Sequence, residues 1–565
     1  MKTVLRVSTT RILLMLAITW TALVIFPGQS EPIKLAGLAF VATLLIWRGW
    51  ALSWAASAVL SGTAVVAVVV GLLALEPNVA FLGSLARAQG VLAILAVTAL
   101  AGAATSLDAQ QRLGVYRLVA LLGGLVAVYA LLQFVGLDPV AWVGVADSRP
   151  AATLSNPTTL AGWLVLLLPI SAALALTDAA RRRWWLGLLV LQFLALLTTG
   201  SRSAVLALLG VGTVLGLLLD ARHWHRGVVV LVCALGLGVL LAALRPASLH
   251  DRAELWQAAA HTLVHAPQIV DLHGQSDTLT GLRPWLGYGP DQQRPALAAA
   301  RTQSSFGRPE SQSWDADRAH QWLLDRALEM GLAGILAGLL LTGLVVRACL
   351  RSWRSTDIDI RLEAYALAIA LGAWLLHLQA SFALTGDRTL AWVWIGFALA
   401  LGREAGGQLS ATAAPQSAKQ LWLSRLLRSV SAVVLLSGAL AAIGLLPSAL
   451  LAQWAPALTA EQRYVAGQNH YLRALSSAEP AAAAQAMTDS AQAFEQALAL
   501  RRFDRDAAFG AASAWAEAAA AGASPSPLPR AQHWVDRLSA IAADDPRLPP
   551  IRSRIAEVAS RTSSD

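Results

Sequence analysis

The chain has 565 residues, 56% hydrophobic and 14% charged, with a mean hydropathy of +0.57, whereas soluble globular proteins carry about 25% charged residues. Apolar stretches of ~20 residues recur along it, the pattern of a polytopic membrane protein. The net charge of +9 comes from 43 Lys+Arg against 34 Asp+Glu and is concentrated in short loops, where it orients membrane spans rather than binding nucleic acid.

Period-two alternation of Val, Ile and Thr is almost absent, which disfavours a β-barrel and leaves helices to satisfy backbone groups in lipid. Lys2, Arg6 and Arg11 precede the first apolar run, at 12–27. No small-residue cleavage site follows, so this run reads as an uncleaved first helix. Further runs lie at 33–47, 51–75, 85–103, 114–136, 159–177, 184–199, 203–219, 227–244, 327–346, 362–384, 389–402 and 429–451, thirteen in all. The expected architecture is an all-α polytopic bundle of about thirteen transmembrane helices. Four parts are expected: an N-terminal bundle over 1–244, a large loop over 245–326, a second helical set over 327–451, and a soluble helical tail over 452–565.

The basic short loops fall on alternate connections. Arg48, Arg112, Arg117, Arg181-Arg182-Arg183, Arg222, Arg226, Arg347, Arg351, Arg354, Arg361, Arg403, Lys419, Arg425 and Arg428 share a side with the N-terminus. The positive-inside rule makes that side cytoplasmic. The 245–326 loop, the Thr198–Ser203 turn and the tail are then outside. The two cysteines, Cys233 and Cys349, lie in or beside apolar runs and offer no disulfide framework or metal motif.

Within the loop, Arg252, Trp256, Ala259 and Leu263 share one helical face, which predicts an amphipathic helix at the membrane surface. The Gly287-Tyr288-Gly289-Pro290 turn follows, and residues 301–316 are polar and Ser-rich. In the tail, Ser490, Phe494 and Ala497 fit part of a tetratricopeptide unit. A plain helical hairpin explains them as well.

Several polar residues stand at or inside apolar runs. Arg202 sits between two long ones, either snorkelling to headgroups or forming an anion site with Gly200, Ser201 and Ser203 around it. Arg252 is either a solvated surface charge or a phosphate fork. His320 lies at the border between loop and membrane. On a helix it would share a face with Leu324, Ala327 and Gly331, above a cleft made by the Ala327/Gly331 and Gly334/Gly338 pairs. Asp317 could orient its ring; a solvated interfacial histidine is the alternative. His377 and Gln379 inside the eleventh run suit an interhelical hydrogen bond or catalysis equally. Arg149 and Asn156 lie in the 137–158 loop, where Asn156-Pro157 suits a helix cap. No Walker, GxGxxG, HExxH or paired-carboxylate motif occurs in a plausible context.

Four segments together resemble the O-antigen ligase and polymerase superfamily of bacterial membrane enzymes. They are Leu154-Ser155-Asn156-Pro157-Thr158-Thr159-Leu160-Ala161, Thr199-Gly200-Ser201-Arg202-Ser203-Ala204, Arg252-Ala253-Glu254-Leu255-Trp256 followed by Leu286-Gly287-Tyr288-Gly289-Pro290, and Asp317-Arg318-Ala319-His320 with Leu323-Leu324-Asp325, Gly331 and Gly334. Their order and spacing over residues 150–345 carry the likeness. Gln321 stands where the family commonly has Asn.

The resemblance implies a C-type glycosyltransferase fold and a glycan donor on polyprenyl (undecaprenyl) diphosphate. The acceptor hydroxyl would belong to lipid A core, a protein or another glycan. It implies no metal or nucleotide cofactor. Arg202 and Arg252 would bind the diphosphate, and His320 would act on the acceptor hydroxyl or assist the leaving group. Asp317, Arg318, Asp325, Arg149, Asn156 and His377 would support them. The expected place is the outer face of a bacterial cytoplasmic membrane, with the tail free to bind a protein partner. A chain-extending polymerase is the alternative within the enzyme class. A lipid-linked glycan flippase is the alternative outside it, although no inverted repeat is visible. A scaffold presenting the tail would leave Arg202 and His320 without a role.

Overall fold

The computed structural model describes residues 2–25, 30–48, 54–140, 149–219, 246–300, 316–406, 418–442, 444, 456–523, 526–543 and 545–562. Among them the chain is helical, with one isolated antiparallel bridge between Val270 and Ser276. The longer helices of the first half are α1 (Lys2–Leu23), α2 (Ser30–Arg48), α3 (Trp54–Leu72), α4 (Val91–Ala104), α5 (Ala109–Phe134), α6 (Pro157–Thr177), α7 (Arg182–Thr198) and α8 (Arg202–Leu219). The loop contributes α9 (Pro246–His265). Then come α10 (Trp322–Trp353), α11 (Ile358–His377), α12 (Thr385–Glu404) and α13 (Ala418–Ala442). The tail holds α14 (Pro456–Ser476), α15 (Pro480–Leu500), α16 (Arg505–Ala520), α17 (Leu528–Ile541) and α18 (Leu548–Thr562).

Four helices among the described residues are long and apolar enough to cross a membrane: Ser30–Trp47, Ala109–Phe134, Pro157–Thr177 and Trp322–Trp353. This corrects the expected thirteen. Thr9–Leu23, Ala56–Leu72, Val91–Ala104, Arg202–Gly216 and Ser429–Ala442 are apolar but shorter. A helix of 14 residues such as Val91–Ala104 reaches ~21 Å against ~30 Å of hydrocarbon. Apolar runs overcount because they include turns. The run at 85–103 opens in a turn, and the run at 362–384 leaves its α-helix at His377. The run at 227–244 lies outside the described residues. Large apolar side chains nonetheless face outward, Trp47, Leu125, Val190 and Leu340 among them, as on helices whose surroundings are apolar.

One apolar core runs from Leu13 to Ala207 and resumes from Cys349 to Leu458, so the two expected helical sets share a single interior. Its loop-distant end is tied by Arg112 of α5. That guanidinium reaches Glu363 of α11 at 2.7 and 3.1 Å, Glu404 of α12 at 2.7 and 2.8 Å, and the Leu107 carbonyl at 2.9 Å. The five contacts use every N–H a guanidinium has.

α10 begins at Trp322, earlier than the expected 327, and it is broken. Gly331 adopts φ 60°, ψ −158°, open in practice only to glycine. The break frees the carbonyls of Leu328 and Glu329, which accept instead from the amides of Tyr288 at 2.7 Å and Gly289 at 3.0 Å. The backbones approach so closely that a Cβ on Gly331 would lie 2.3 Å from the Trp285 carbonyl. Trp322 consequently touches Gly338, where a Cβ would meet its ring at 2.9 Å; a straight helix would hold the two ~24 Å apart. The small residues of α10 therefore receive the helix's own first turns rather than a separate helix.

α9 also differs from expectation. Its apolar face, Ala258 and Ala259 with Trp256 and Leu263, packs on Ile269, Ala296, Leu297 and Ala319. An apolar stripe is the same sequence whether protein or lipid covers it; here protein does. In the tail, Phe494 lies against Gly467 and Gly510, and Ser490 donates to the Gly467 carbonyl at 2.8 Å. The tail docks on the loop and on the connection between α3 and α4. The Arg502 amide donates to Glu76 at 2.6 Å, Arg502 accepts from the Leu272 amide at 3.1 Å, and Arg294 pairs with Asp506 at 2.8 Å.

Candidate active site

The N-terminus of α6 begins the site. Asn156 caps this helix by accepting from the Thr158 amide at 2.8 Å, with Pro157 in the first turn. The Thr158 carbonyl lies 3.2 Å from Nε2 of His377 at the end of α11. A carbonyl only accepts, so Nε2 carries the proton and Nδ1 accepts from the Ser203 hydroxyl at 2.9 Å. His377 is fully buried with both nitrogens engaged, and it ties α6, α8 and α11 together. It places Ser203, and with it Arg202 at the first position of α8.

Gly200, in the turn before α8, has φ +63°, and a Cβ there would sit 3.2 Å from Cδ of Arg149. Both the conformation and the closeness of Arg149 call for glycine. Arg149 donates from Nη1 to the Thr199 carbonyl at 3.4 Å. From the loop, α9 brings Arg252 into electrostatic reach of Arg202 and Arg149. Burial first, then those two charges, lowers the proton affinity of Arg252, although a guanidinium stays charged. Arg149, Arg202 and Arg252 thus converge from three distant parts of the sequence. Among the described residues, no carboxylate pairs with Arg252.

His320 is off the helix expected to carry it. It precedes the N-cap Gln321 and adopts φ 56°, a left-handed conformation uncommon for a residue with a side chain. Gln321 accepts from the Leu324 amide at 2.6 Å and donates to Gln379 at 3.0 Å. Trp256 of α9 donates to the Ala319 carbonyl at 3.1 Å, and Asp325 accepts from the Ala319 amide at 2.8 Å. The residue before His320 is therefore held on both sides. Burial pushes the imidazole down to about 4; Arg87, Arg252 and Arg318 add to this and Asp317 opposes it. Asp317 is itself held well below the usual carboxylate range, since Arg87 outweighs its burial. Arg318 is buried between Asp291 at 3.1 Å and Glu329 at 3.2 Å and braces the segment from below.

A cavity of about 890 Å³ adjoins this cluster. Its walls are mainly apolar side chains of α8, α10 and α11, among them Leu206, Val211, Leu341 and Leu371. Its polar end includes Ser203, Arg318, Asp325, Ser381 and Arg388, together with Phe382, whose ring lies 5.2 Å from that of His320. The structure thus gathers Arg149, Arg202, Arg252, Asp317 and His320 next to an apolar cavity that their neighbours Ser203, Arg318 and Phe382 line, and assigns Asn156, Arg318, Asp325 and His377 to holding them there. Sequence reasoning missed Arg87, Phe382, Asp291 and Arg388. Arg87 gave the same signal as Arg202, a guanidinium at the edge of an apolar run.

Among the described residues, no group of three or more His, Cys, Asp and Glu comes together as a metal site would require. No protein-family model matches the chain and no curated protein matches it. The functional reading therefore rests on the site's own chemistry.

Proposed function

We propose that the chain transfers a glycan from a polyprenyl diphosphate donor to an acceptor hydroxyl at the outer face of a bacterial cytoplasmic membrane, as its likeness to O-antigen ligases implies. The observation that carries this reading is the convergence of three guanidiniums and a histidine beside a large apolar cavity lined by their neighbours Ser203, Arg318 and Phe382. A substrate matching both features is amphipathic, with an anionic head and a long apolar chain. A diphosphate suits the arginines, which fork onto phosphate oxygens, and a prenyl chain suits the cavity. The lipid A core, protein or glycan bearing the hydroxyl would approach from the loop side, and the tail offers a surface for a protein partner.

In the reaction, the bond from the anomeric carbon to the diphosphate oxygen breaks and its electron pair stays on the diphosphate. A bond forms from the acceptor oxygen to the same carbon, and the acceptor's proton passes to His320. Arg149, Arg202 and Arg252 stabilise the charge growing on the leaving group. Holding both partners in one cleft supplies proximity. A base pushed down to about 4 is weak in the free protein. A bound diphosphate offsets the arginine charges and so reverses the part of the depression that they cause, leaving the part due to burial, and makes the imidazole a better general base.

The test is transfer by purified, bilayer-reconstituted protein with a defined polyprenyl-diphosphate glycan and candidate acceptors. His320→Ala, Arg202→Ala and Arg252→Ala are each expected to lose about 10²–10³-fold in kcat. Wild-type rates in all three folded variants would refute the site. Consumption of donor by water alone, with no acceptor glycosylated, would refute the transferase reading.

A further inference from the structure

We propose that Arg87 is a positioning residue for His320: it holds Asp317 and Phe382, the two groups flanking the imidazole. The inference rests on the reading of His320 as the base.

Arg87 lies in the turn between α3 and α4 and is 8% exposed. Its Nε donates to Asp317 Oδ2, 230 residues away in sequence. Its guanidinium carbon stands 3.9 Å over the ring of Phe382. Phe382, from the connection between α11 and α12, meets the His320 ring at 60° with centroids 5.2 Å apart. One planar cation thus joins three segments around one imidazole. The turn is pinned a second time, where Ser84 donates to Asp291 from its amide at 2.6 Å and its hydroxyl at 2.9 Å. Asp291 in turn pairs with Arg318, two residues before His320. Because the turn is anchored independently of Arg87, the guanidinium can be altered without releasing it. Arg87 Nη1 is buried with no hydrogen-bond partner among the described residues, in contrast to the saturated Arg112.

The charged groups facing His320 are Asp317 and Arg318 from its own segment, Arg87 from the turn and Arg252 from α9. Replacing Arg87 with a neutral residue removes one cation and releases the Asp317 carboxylate. Both changes raise the proton affinity of His320, and replacing Asp317 lowers it. A lysine restores the charge but not the flat stack on Phe382 or the Nε donor to Asp317.

The experiment is a pH titration of His320 by NMR in full-length, ¹³C-histidine-labelled protein in nanodiscs, with the signal assigned by His320→Gln. Arg87→Gln is expected to move the titration up by about one pH unit or more, and Asp317→Asn to move it down. Arg87→Lys is expected to restore the midpoint while leaving the ring signals broadened. An unmoved titration in a folded Arg87→Gln protein overturns the proposal. Should that variant not fold, Asp317→Asn decides, since an unmoved midpoint there removes the route through Asp317. In transfer assays, Arg87→Gln should shift the acid limb of kcat/KM upward by the same interval. A wild-type protein that transfers nothing would refute the glycan reading alone, because the titration shifts are read without turnover.

Discussion

A single buried arginine at one end of the bundle and a group of three at the other are built on opposite rules. Arg112 spends all its donors on Glu363, Glu404 and the Leu107 carbonyl. Arg252 has Arg149 and Arg202 as its charged neighbours and, among the described residues, no carboxylate partner. Glu363 near the start of α11 marks the first end, and His377 at its finish marks the second. A buried cation whose partners are supplied by the fold is a brace. Cations brought within reach of one another repel, and an arriving anion relieves that repulsion. The sign of the charges nearest Arg112 and Arg252 separates the two ends.

The comparison can be broken first at its braced end. Arg112→Ala leaves two carboxylates facing each other and is expected to cost about 3–5 kcal/mol, seen as a large fall in melting temperature in detergent. A melt unchanged from wild type would show that Arg112 is no brace. At the other end, Arg252→Ala relieves repulsion and should leave the melting temperature level or slightly higher. Pyrophosphate at about a hundred times its Kd should stabilise the wild type by about 2.7 kcal/mol and this variant far less. Equal stabilisation of both would remove Arg252 from the anion site.

The smallest effect concerns protons. His320 titrates near 6.5 when unfolded and is pushed down to about 4 in the fold. Its neutral form is therefore the stable one, and its contribution to stability is complete above 6.5 and is lost as pH falls towards 4. Pyrophosphate binding should reverse part of that depression. Binding should then take up a fraction of a proton and tighten as pH falls from 6.5 to 4. Calorimetry in buffers of different ionisation enthalpy measures the uptake, and His320→Gln should abolish it. Proton uptake unchanged in that variant would place the titrating group elsewhere.

The sequence made legible whatever depends on neighbours along the chain. Apolar length revealed helices, and Asn156-Pro157 announced its cap. The Gly287-Tyr288-Gly289-Pro290 stretch announced its turn. What it concealed depends on distant partners. Gly331 reads as a packing glycine because nothing nearby shows that residues 285–289 will take over the carbonyls it frees. His320 reads as helical because the Gln321 cap is indistinguishable from one more helical residue. α9 reads as membrane-bound because Ala296 and Ala319, which cover it, lie far along the chain. Arg87 shows only as a guanidinium at the edge of an apolar run, because Asp317 and Phe382, which it holds, come much later.

The docking of the tail carries a consequence for how the protein is made. Arg502 reaches back across 426 residues to Glu76, and Leu272 of the loop joins the tail's own core. Such contacts are the last to form as a chain leaves the ribosome. α1 to α13 are synthesised while the loop that carries Arg252 still lacks one of its supports. A protein cut short after α13 keeps every residue of the arginine and histidine cluster but not the surface against which its loop is seated.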